Sequence, residues 1–189
     1  MKKNFLILVM AIICFLPSVV YAKEQVKLSK CVDGDTARFI IDNKEYSTRF
    51  LAIDTPEVKH PKKKVEPFGK EASNYTCKRL ENAKKIELEY DPNSTKQDKY
   101  GRILAWVYVD DSLLQKELVK KGYAKVAYLY GDYKYTKSLQ LLEKKAKSNK
   151  VGLWSDNKNS NNDSDSLISI DEILEKLFKY IRKEIKSML

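Results

Sequence analysis

The stretch that decides the fold is Thr36-Ala37-Arg38-Phe39-Ile40-Ile41-Asp42-Asn43-Lys44-Glu45-Tyr46-Ser47-Thr48-Arg49-Phe50-Leu51-Ala52-Ile53. Two alternating runs, Thr36–Ile41 and Lys44–Ile53, flank Asp42-Asn43. Residues of that kind accept the left-handed backbone of a tight hairpin, so the spacing predicts two antiparallel strands. A third run, Glu24–Val32, precedes them and places Val26, Leu28 and Val32 on one face, with Cys31 on the other. Strands come first and are joined by short turns, which favours an antiparallel, barrel-like sheet over a doubly wound one.

Further along, Phe68, Ala72, Tyr75 and Ala83 recur at helical spacing and predict a helix from Phe68 to Ala83. Residues 58–67 are rich in lysine and proline and read as a basic loop. Lys85–Tyr90 alternates as a strand, Asp91–Lys99 is a polar loop, and Ile103–Val109 is a buried-type strand ended by Asp110-Asp111. Leu113–Lys121 is a short helix stopped by Gly122. Thr136–Lys150 is a second amphipathic helix with Thr136 as its expected N-cap and Gly152 beyond its end. Trp154 closes a body running over residues 23–154. Residues 155–166, SDNKNSNNDSDS, contain no hydrophobic residue and read as a linker.

Two flanking segments stand apart. Residues 1–22 have the form of a secretory signal: Lys2 and Lys3, an apolar run from Phe5 to Leu16, and Val20-Tyr21-Ala22 before an expected cleavage at Lys23. An uncleaved anchor is the other reading. Lipoprotein processing at Cys14 is disfavoured by bulky Ile13. The expected location of the mature chain is therefore secreted, or at least outside the cytoplasm. At the other end, residues 167–189 carry Ile170, Ile173, Leu174, Leu177, Ile181, Ile185 and Met188 at helical spacing. That apolar stripe suits self-association, a protein partner, a membrane surface, or packing back onto the body.

The chain has 189 residues and a net charge of +10, which points to a polyanionic partner. The segment from Ser155 onward has 6 basic and 7 acidic residues, so the positive charge belongs to the body. One histidine, His60, excludes a multi-histidine metal centre, and three cysteines exclude a disulfide-dense miniprotein. Cys77 falls opposite the apolar face of the helix expected from Phe68, so Cys31 and Cys77 are either free or paired; sequence leaves both open.

Four clusters carry chemistry. They are Asp33-Gly34-Asp35-Thr36, the run Arg49 to Glu57 (RFLAIDTPE), Asp98-Lys99-Tyr100-Gly101-Arg102, and Lys125 to Tyr130 (KVAYLY). Taken singly, they are turns, strand ends or packed tyrosines. Arg49 is different, because a charge in an apolar strand needs an acid or an anionic ligand beside it. Asp35 and Asp54 lie at the ends of neighbouring strands, where two converging carboxylates call for a cation. Oxygen donors suit a hard ion such as Ca²⁺ or Mg²⁺. Glu57 is placed to act as a base, and Arg49 and Arg102 are forked donors that grip phosphate. Cation, base and arginines are the parts needed for attack on a phosphodiester.

In this order, from about Val26 to Trp154, the clusters resemble those of the staphylococcal nuclease (thermonuclease) family, as do Lys59-His60-Pro61-Lys62-Lys63 and Glu81-Asn82-Ala83-Lys84-Lys85-Ile86. The resemblance implies an α+β, mainly β fold: an OB-fold five-stranded Greek-key barrel with about three packed helices. It implies a secreted, Ca²⁺-dependent endonuclease acting on DNA and RNA and leaving 3′-phosphate and 5′-hydroxyl ends. On that resemblance Asp35 and Asp54 supply carboxylate ligands to calcium and Thr55 a carbonyl ligand. Glu57 orients or activates the attacking water, Arg49 binds the scissile phosphate, and Arg102 stabilises the transition state. Lys99 and Tyr100 contact a terminal phosphate, Tyr128 packs against a base with Tyr130 near it, and Lys63 belongs to the basic loop beside the site. The alternative is a non-catalytic nucleic-acid-binding module on the same barrel. Departures from the family pattern are the composition of Asp91–Gln97, Lys64, Pro67, the cysteine pair and the C-terminal segment.

Overall fold

A computed structural model describes residues 23–58 and 66–155. The signal-like segment 1–22, Lys63 and most of its basic loop, and the linker and helix expected over 156–189 lie outside the described residues.

Five strands close a barrel. They are β1 (Glu24–Cys31), β2 (Thr36–Ile41), β3 (Lys44–Phe50), β5 (Ile86–Glu89) and β6 (Ile103–Val109). The order is β3-β2-β1-β5-β6, and β6 returns to β3 through a parallel pairing that sets Arg49 opposite Leu104. The OB-type barrel expected from the sequence is therefore the observed fold. Two-residue strands complete it: β7 (Ser112–Leu113) beside β6, and the pair β4 (Ile53–Asp54) with β8 (Lys125–Val126). Among the described residues there are three α-helices: α1 (Gly69–Glu81) and α2 (Leu114–Lys120) lie against barrel strands, and α3 (Thr136–Ser148) lies against α2 and β8.

The hairpin at Asp42-Asn43 forms as read, with φ of 48° and 63° at the two turn residues. Asp110-Asp111 makes a second turn of this kind, with φ of 49° and 67°. The core is the barrel interior and its helix-facing wall, where Phe39, Phe50, Leu88, Trp106, Leu114 and Leu118 are buried.

Gln115 serves the barrel seam. Between the stretches of β6 paired with β3 and with β7, its side chain donates to the Ala105 carbonyl at 3.0 Å and accepts from the Val107 N–H at 3.1 Å. A buried amide thus does the work of a missing strand residue.

Four local expectations are corrected. The run Lys44–Ile53 is not one strand: the chain turns at Leu51-Ala52, with Ala52 at φ 59°, so that Ile53–Asp54 pairs with β8. Four consecutive buried apolar residues, Phe50 to Ile53, hid that turn. The strict alternation of β1 fails at a bulge between Leu28 and Lys30, and the one-residue slip exposes Val32 while turning Cys31 toward α1. The buried stripe of α1 is Gly69, Ala72, Thr76 and Leu80, which puts Cys77 at its border rather than opposite it. Thr136 is the first residue of α3 and not its cap; Tyr135 holds the cap position, without a side-chain hydrogen bond to the helix. Cys31 and Cys77, left open by sequence, form a disulfide.

Candidate active site

At one end of the barrel the β1–β2 turn, the Leu51–Glu57 segment, the Asp98–Arg102 turn and the loop after β8 surround a cleft of about 810 Å³. Every residue singled out for chemistry that lies within the described residues lines it: Asp35, Arg49, Asp54, Thr55, Glu57, Lys99, Tyr100, Arg102, Tyr128 and Tyr130.

Arg49 is the centre. It is the penultimate residue of β3, its side chain is buried, and the cost of burying a guanidinium is met by three hydrogen bonds and a second carboxylate. Nη1 donates to the carbonyls of Phe50 at 3.1 Å and Ile53 at 2.8 Å. Nη2 lies 3.1 Å from Asp35 Oδ2 and 3.1 Å from Asp54 Oδ1. The sharp turn at Ala52 is what brings the Ile53 carbonyl and Asp54 back to the arginine that precedes them.

Asp35 is held by its surroundings. Its Oδ2 accepts from the Thr55 N–H at 2.7 Å and the Thr55 hydroxyl at 3.0 Å, and its own carbonyl accepts from Phe50 N–H at 2.8 Å. Gly34 is required beside it: a Cβ there would meet Thr55 Oγ1 at 2.6 Å. Burial and the Asp35 charge push the Asp33 carboxyl up to about 6. The same two causes raise Asp54, against the pull of Arg49.

Among the described residues no three acidic, histidine or cysteine side chains stand together as a ready metal cage. The donor set nonetheless fits a hard divalent ion. Asp35 and Asp54 converge on one guanidinium nitrogen and both are oxygen donors; burial first, then the Asp35 charge, raise the Asp33 and Asp54 carboxyls, and a cation there would offset that charge. Asp35 and Asp54, with the Thr55 carbonyl, are the groups that would be available to hold it.

The opposite wall is the Asp98–Arg102 turn. Asp98 Oδ2 accepts from Arg102 Nε at 2.7 Å, and Oδ1 accepts the backbone N–H groups of Tyr100 at 2.9 Å and Arg102 at 3.0 Å. Burial works against the Asp98 charge, but the hydrogen bonds from Arg102 and Tyr100 outweigh it and lower its pKa. Tyr100 is exposed, with Lys99 Nζ 5.1 Å and the Arg102 guanidinium 5.5 Å from its ring centre.

On the third side Tyr128 sits at φ 56°, an uncommon conformation for an aromatic residue, with the Arg49 guanidinium 5.3 Å from its ring centre. The neighbouring Asp54 charge, then burial, raise its phenol above the ordinary value. Tyr130 is 84% exposed and its ring lies 6.4 Å from that of Tyr128. Glu57 is exposed at the cleft edge; its N–H donates to Glu66 and its carbonyl accepts from the Glu66 N–H.

Sequence reasoning quoted Asp98 without giving it a task, and missed Tyr133, which is buried at the cleft wall against Trp106. The i, i+4 spacing of Asp98 and Arg102 was the available signal for the first. Nothing in the sequence marked the second.

Residues 47–156 match the family described as staphylococcal nuclease homologue. The chain belongs to the staphylococcal nuclease family. Among its relatives, "Endonuclease YncB" of Bacillus subtilis (strain 168) is 44% identical over 131 residues, covering 69% of this chain and 61% of that protein. "SPbeta prophage-derived endonuclease YokF" of the same strain is 44% identical over 133 residues, 70% of this chain and 44% of that protein. "Thermonuclease" of Staphylococcus hyicus is 37% identical over 135 residues, 71% of this chain and 78% of that protein. The chain thus spans less than two thirds of the length of the two Bacillus proteins. The family match over residues 47–156 takes in Arg49 to Glu57, the Asp98–Arg102 turn and the loop after β8, and begins after the β1–β2 turn that carries Asp35.

Proposed function

We propose that the chain is a secreted, Ca²⁺-dependent endonuclease that hydrolyses phosphodiester bonds of DNA and RNA with little sequence preference, leaving 3′-phosphate and 5′-hydroxyl ends. The observation that carries this reading is the cleft itself: Arg49 between Asp35 and Asp54, with Glu57, Arg102 and Tyr128 around the same space. Relatives named endonuclease and thermonuclease support it. The signal-like segment 1–22 supports export.

Arg49 and Arg102 grip the phosphate from two sides and meet the charge that builds on its oxygens in the transition state. Asp98 fixes the direction from which Arg102 approaches. Glu57 takes a proton from the attacking water, a role worth about 10²–10⁴-fold. Tyr128, with Tyr130 beside it, and Tyr100 offer ring faces to bases; stacking tolerates any base and either sugar. Asp35, Asp54 and the Thr55 carbonyl would hold a Ca²⁺ ion, which would supply Lewis-acid charge to the reaction.

The test is digestion of denatured DNA and of RNA with Ca²⁺, with Mg²⁺ and with chelator, followed by end-group analysis. Ca²⁺-restricted cleavage to 3′-phosphates on both substrates is expected. Glu57→Gln is expected to lose turnover by several orders of magnitude and keep nucleotide affinity. Salt-dependent binding without any shortening of the substrate would make the barrel a binding module and overturn the proposal.

A further inference from the structure

The Cys31–Cys77 disulfide joins the last residue of β1 to the middle of α1, with the Cα atoms 5.5 Å apart. Directly beside Cys77, buried Thr76 donates its hydroxyl to the Gly34 carbonyl at 2.7 Å. Two consecutive residues of one helix therefore hold the β1–β2 turn at both ends, Cys31 and Gly34. The next residue is Asp35, whose N–H donates to Asp33 Oδ1 at 3.1 Å. At its other end the same helix abuts the second acidic segment: a Cβ on Gly69 would lie 3.0 Å from the Glu57 carbonyl and 3.1 Å from that of Pro56. Thus α1 touches both the turn carrying Asp33 and Asp35 and the segment ending in Glu57, while Arg49 of β3 makes its own contacts to Asp35 and Asp54.

The barrel has other ties at this point: β1 is held by antiparallel ladders to β2 and β5. The turn is another matter. Its remaining backbone ties are the N–H groups of Val32 and Asp33 to the Thr36 carbonyl and, at its far end, the Phe50 N–H to the Asp35 carbonyl; between them Gly34 has a wide conformational range and the α1 latch to hold its carbonyl.

We propose that Cys31, Cys77 and Thr76 are positioning residues: the α1 latch fixes the Asp33–Thr36 turn, and through it the placement of Asp35 on which metal affinity and turnover depend. The inference rests on the metal-dependent reading of the site given above. It makes the enzyme responsive to reduction. A dithiol reductant attacks one sulfur as thiolate, forms a mixed disulfide, and is displaced by its own second thiol; two electrons pass to the cysteines, leaving two thiols and an oxidised reductant. The chain is then folded but its carboxylate turn is loose.

The experiment compares the oxidised chain, Cys31→Ser/Cys77→Ser, Thr76→Val and Thr76→Ser at 25 °C, each checked for native circular dichroism. Calcium affinity is measured by calorimetry without substrate, and kcat and KM on denatured DNA. Loss of a group that orients a metal ligand weakens metal binding by about 10–100-fold. We expect a loss of at least about tenfold in Ca²⁺ affinity for the double cysteine variant, with a fall in kcat greater than the rise in KM. Thr76→Val shifts both in the same direction and Thr76→Ser restores them. Dithiol treatment reproduces the change in the wild type and does nothing to the double variant. A folded double variant with wild-type Ca²⁺ affinity and kcat, altered only in its thermal midpoint, would overturn the proposal. If that variant does not fold, the Thr76→Val and Thr76→Ser pair decides on the same two readouts. An oxidised wild type that neither binds Ca²⁺ nor cleaves DNA is a different result, and it sinks the reading of the site itself.

Discussion

Asp98 holds Arg102 at three points: its Oδ2 accepts from Nε at 2.7 Å, its Oδ1 accepts the arginine's backbone N–H at 3.0 Å, and its own N–H donates to the Arg102 carbonyl at 3.0 Å. A long, entropically costly side chain is thereby oriented before any phosphate arrives. Asp98→Asn keeps one oxygen for the backbone N–H groups and loses the acceptor for Nε. The turn is expected to survive while Arg102 swings free. A misplaced catalytic group costs on the order of 10²-fold, so kcat should drop by about that factor with a smaller change in KM. Steady-state kinetics on denatured DNA checks it; an unchanged kcat would detach Arg102 orientation from catalysis.

Arg49 has a structural task besides the phosphate contact proposed for it. Its two terminal nitrogens serve two buried carbonyls and two carboxylates. Arg49→Lys keeps the charge but cannot span that set, because an ammonium is a point donor and the guanidinium a planar fork. Unsatisfied buried acceptors cost about 1–3 kcal/mol, so denaturant titration should show a stability loss of that size. Activity should fall much further than stability alone accounts for. Equal activity at a concentration where the variant is fully folded would count against the phosphate-gripping role.

How much of this was legible beforehand differs by residue. The Asp42-Asn43 hairpin was readable because two residues that tolerate positive φ sat between alternating runs. Arg49 advertised itself as a charge in an apolar strand, and the structure supplies the two acids that such a charge needs. The disulfide was not readable. Period-two alternation put Cys31 on the polar face, and only the bulge at Ser29, a tertiary feature without a local sequence mark, turns it toward Cys77. The Ala52 turn was hidden for a similar reason: its residue type signals neither turn nor strain. Long-range pairing with β8, through the Ala127 N–H and the Ala52 carbonyl at 3.1 Å, holds the turn in place.

Gln115 yields a stability prediction away from the cleft. Its amide completes the β6 seam by pairing with Ala105 and Val107 in a fully buried position. Gln115→Leu has suitable volume but leaves the Val107 N–H without its partner. The expected loss is about 1–3 kcal/mol, seen as a lower denaturant midpoint with little change in m-value. A neutral substitution would mean that the seam finds another partner.

Alkaline stability follows from three tyrosines whose hydroxyls donate to buried or half-buried acceptors. Burial first, then the hydrogen bond to Glu117 Oε2 at 2.7 Å, push Tyr75 up to about 12. Burial and a hydrogen bond to Glu24 raise Tyr90, and burial and the bond to Tyr135 raise Tyr108. The unfolded chain titrates these groups near 10.0. Below that pH both states are protonated and the contribution is intact. Between about 10 and 12 the unfolded state has shed protons that the native state keeps, so unfolding is favoured progressively as pH rises. Urea midpoints measured from pH 9 upward should therefore hold steady at first and then fall steeply. Tyr75→Phe removes one such proton together with the bond to Glu117. Its stability near neutrality should be lower, by about 1 kcal/mol, but its decline above pH 10 should be shallower than that of the wild type. The slope carries the test. Parallel declines in the two proteins would show that Tyr75 keeps its proton no longer in the folded chain than in the unfolded one.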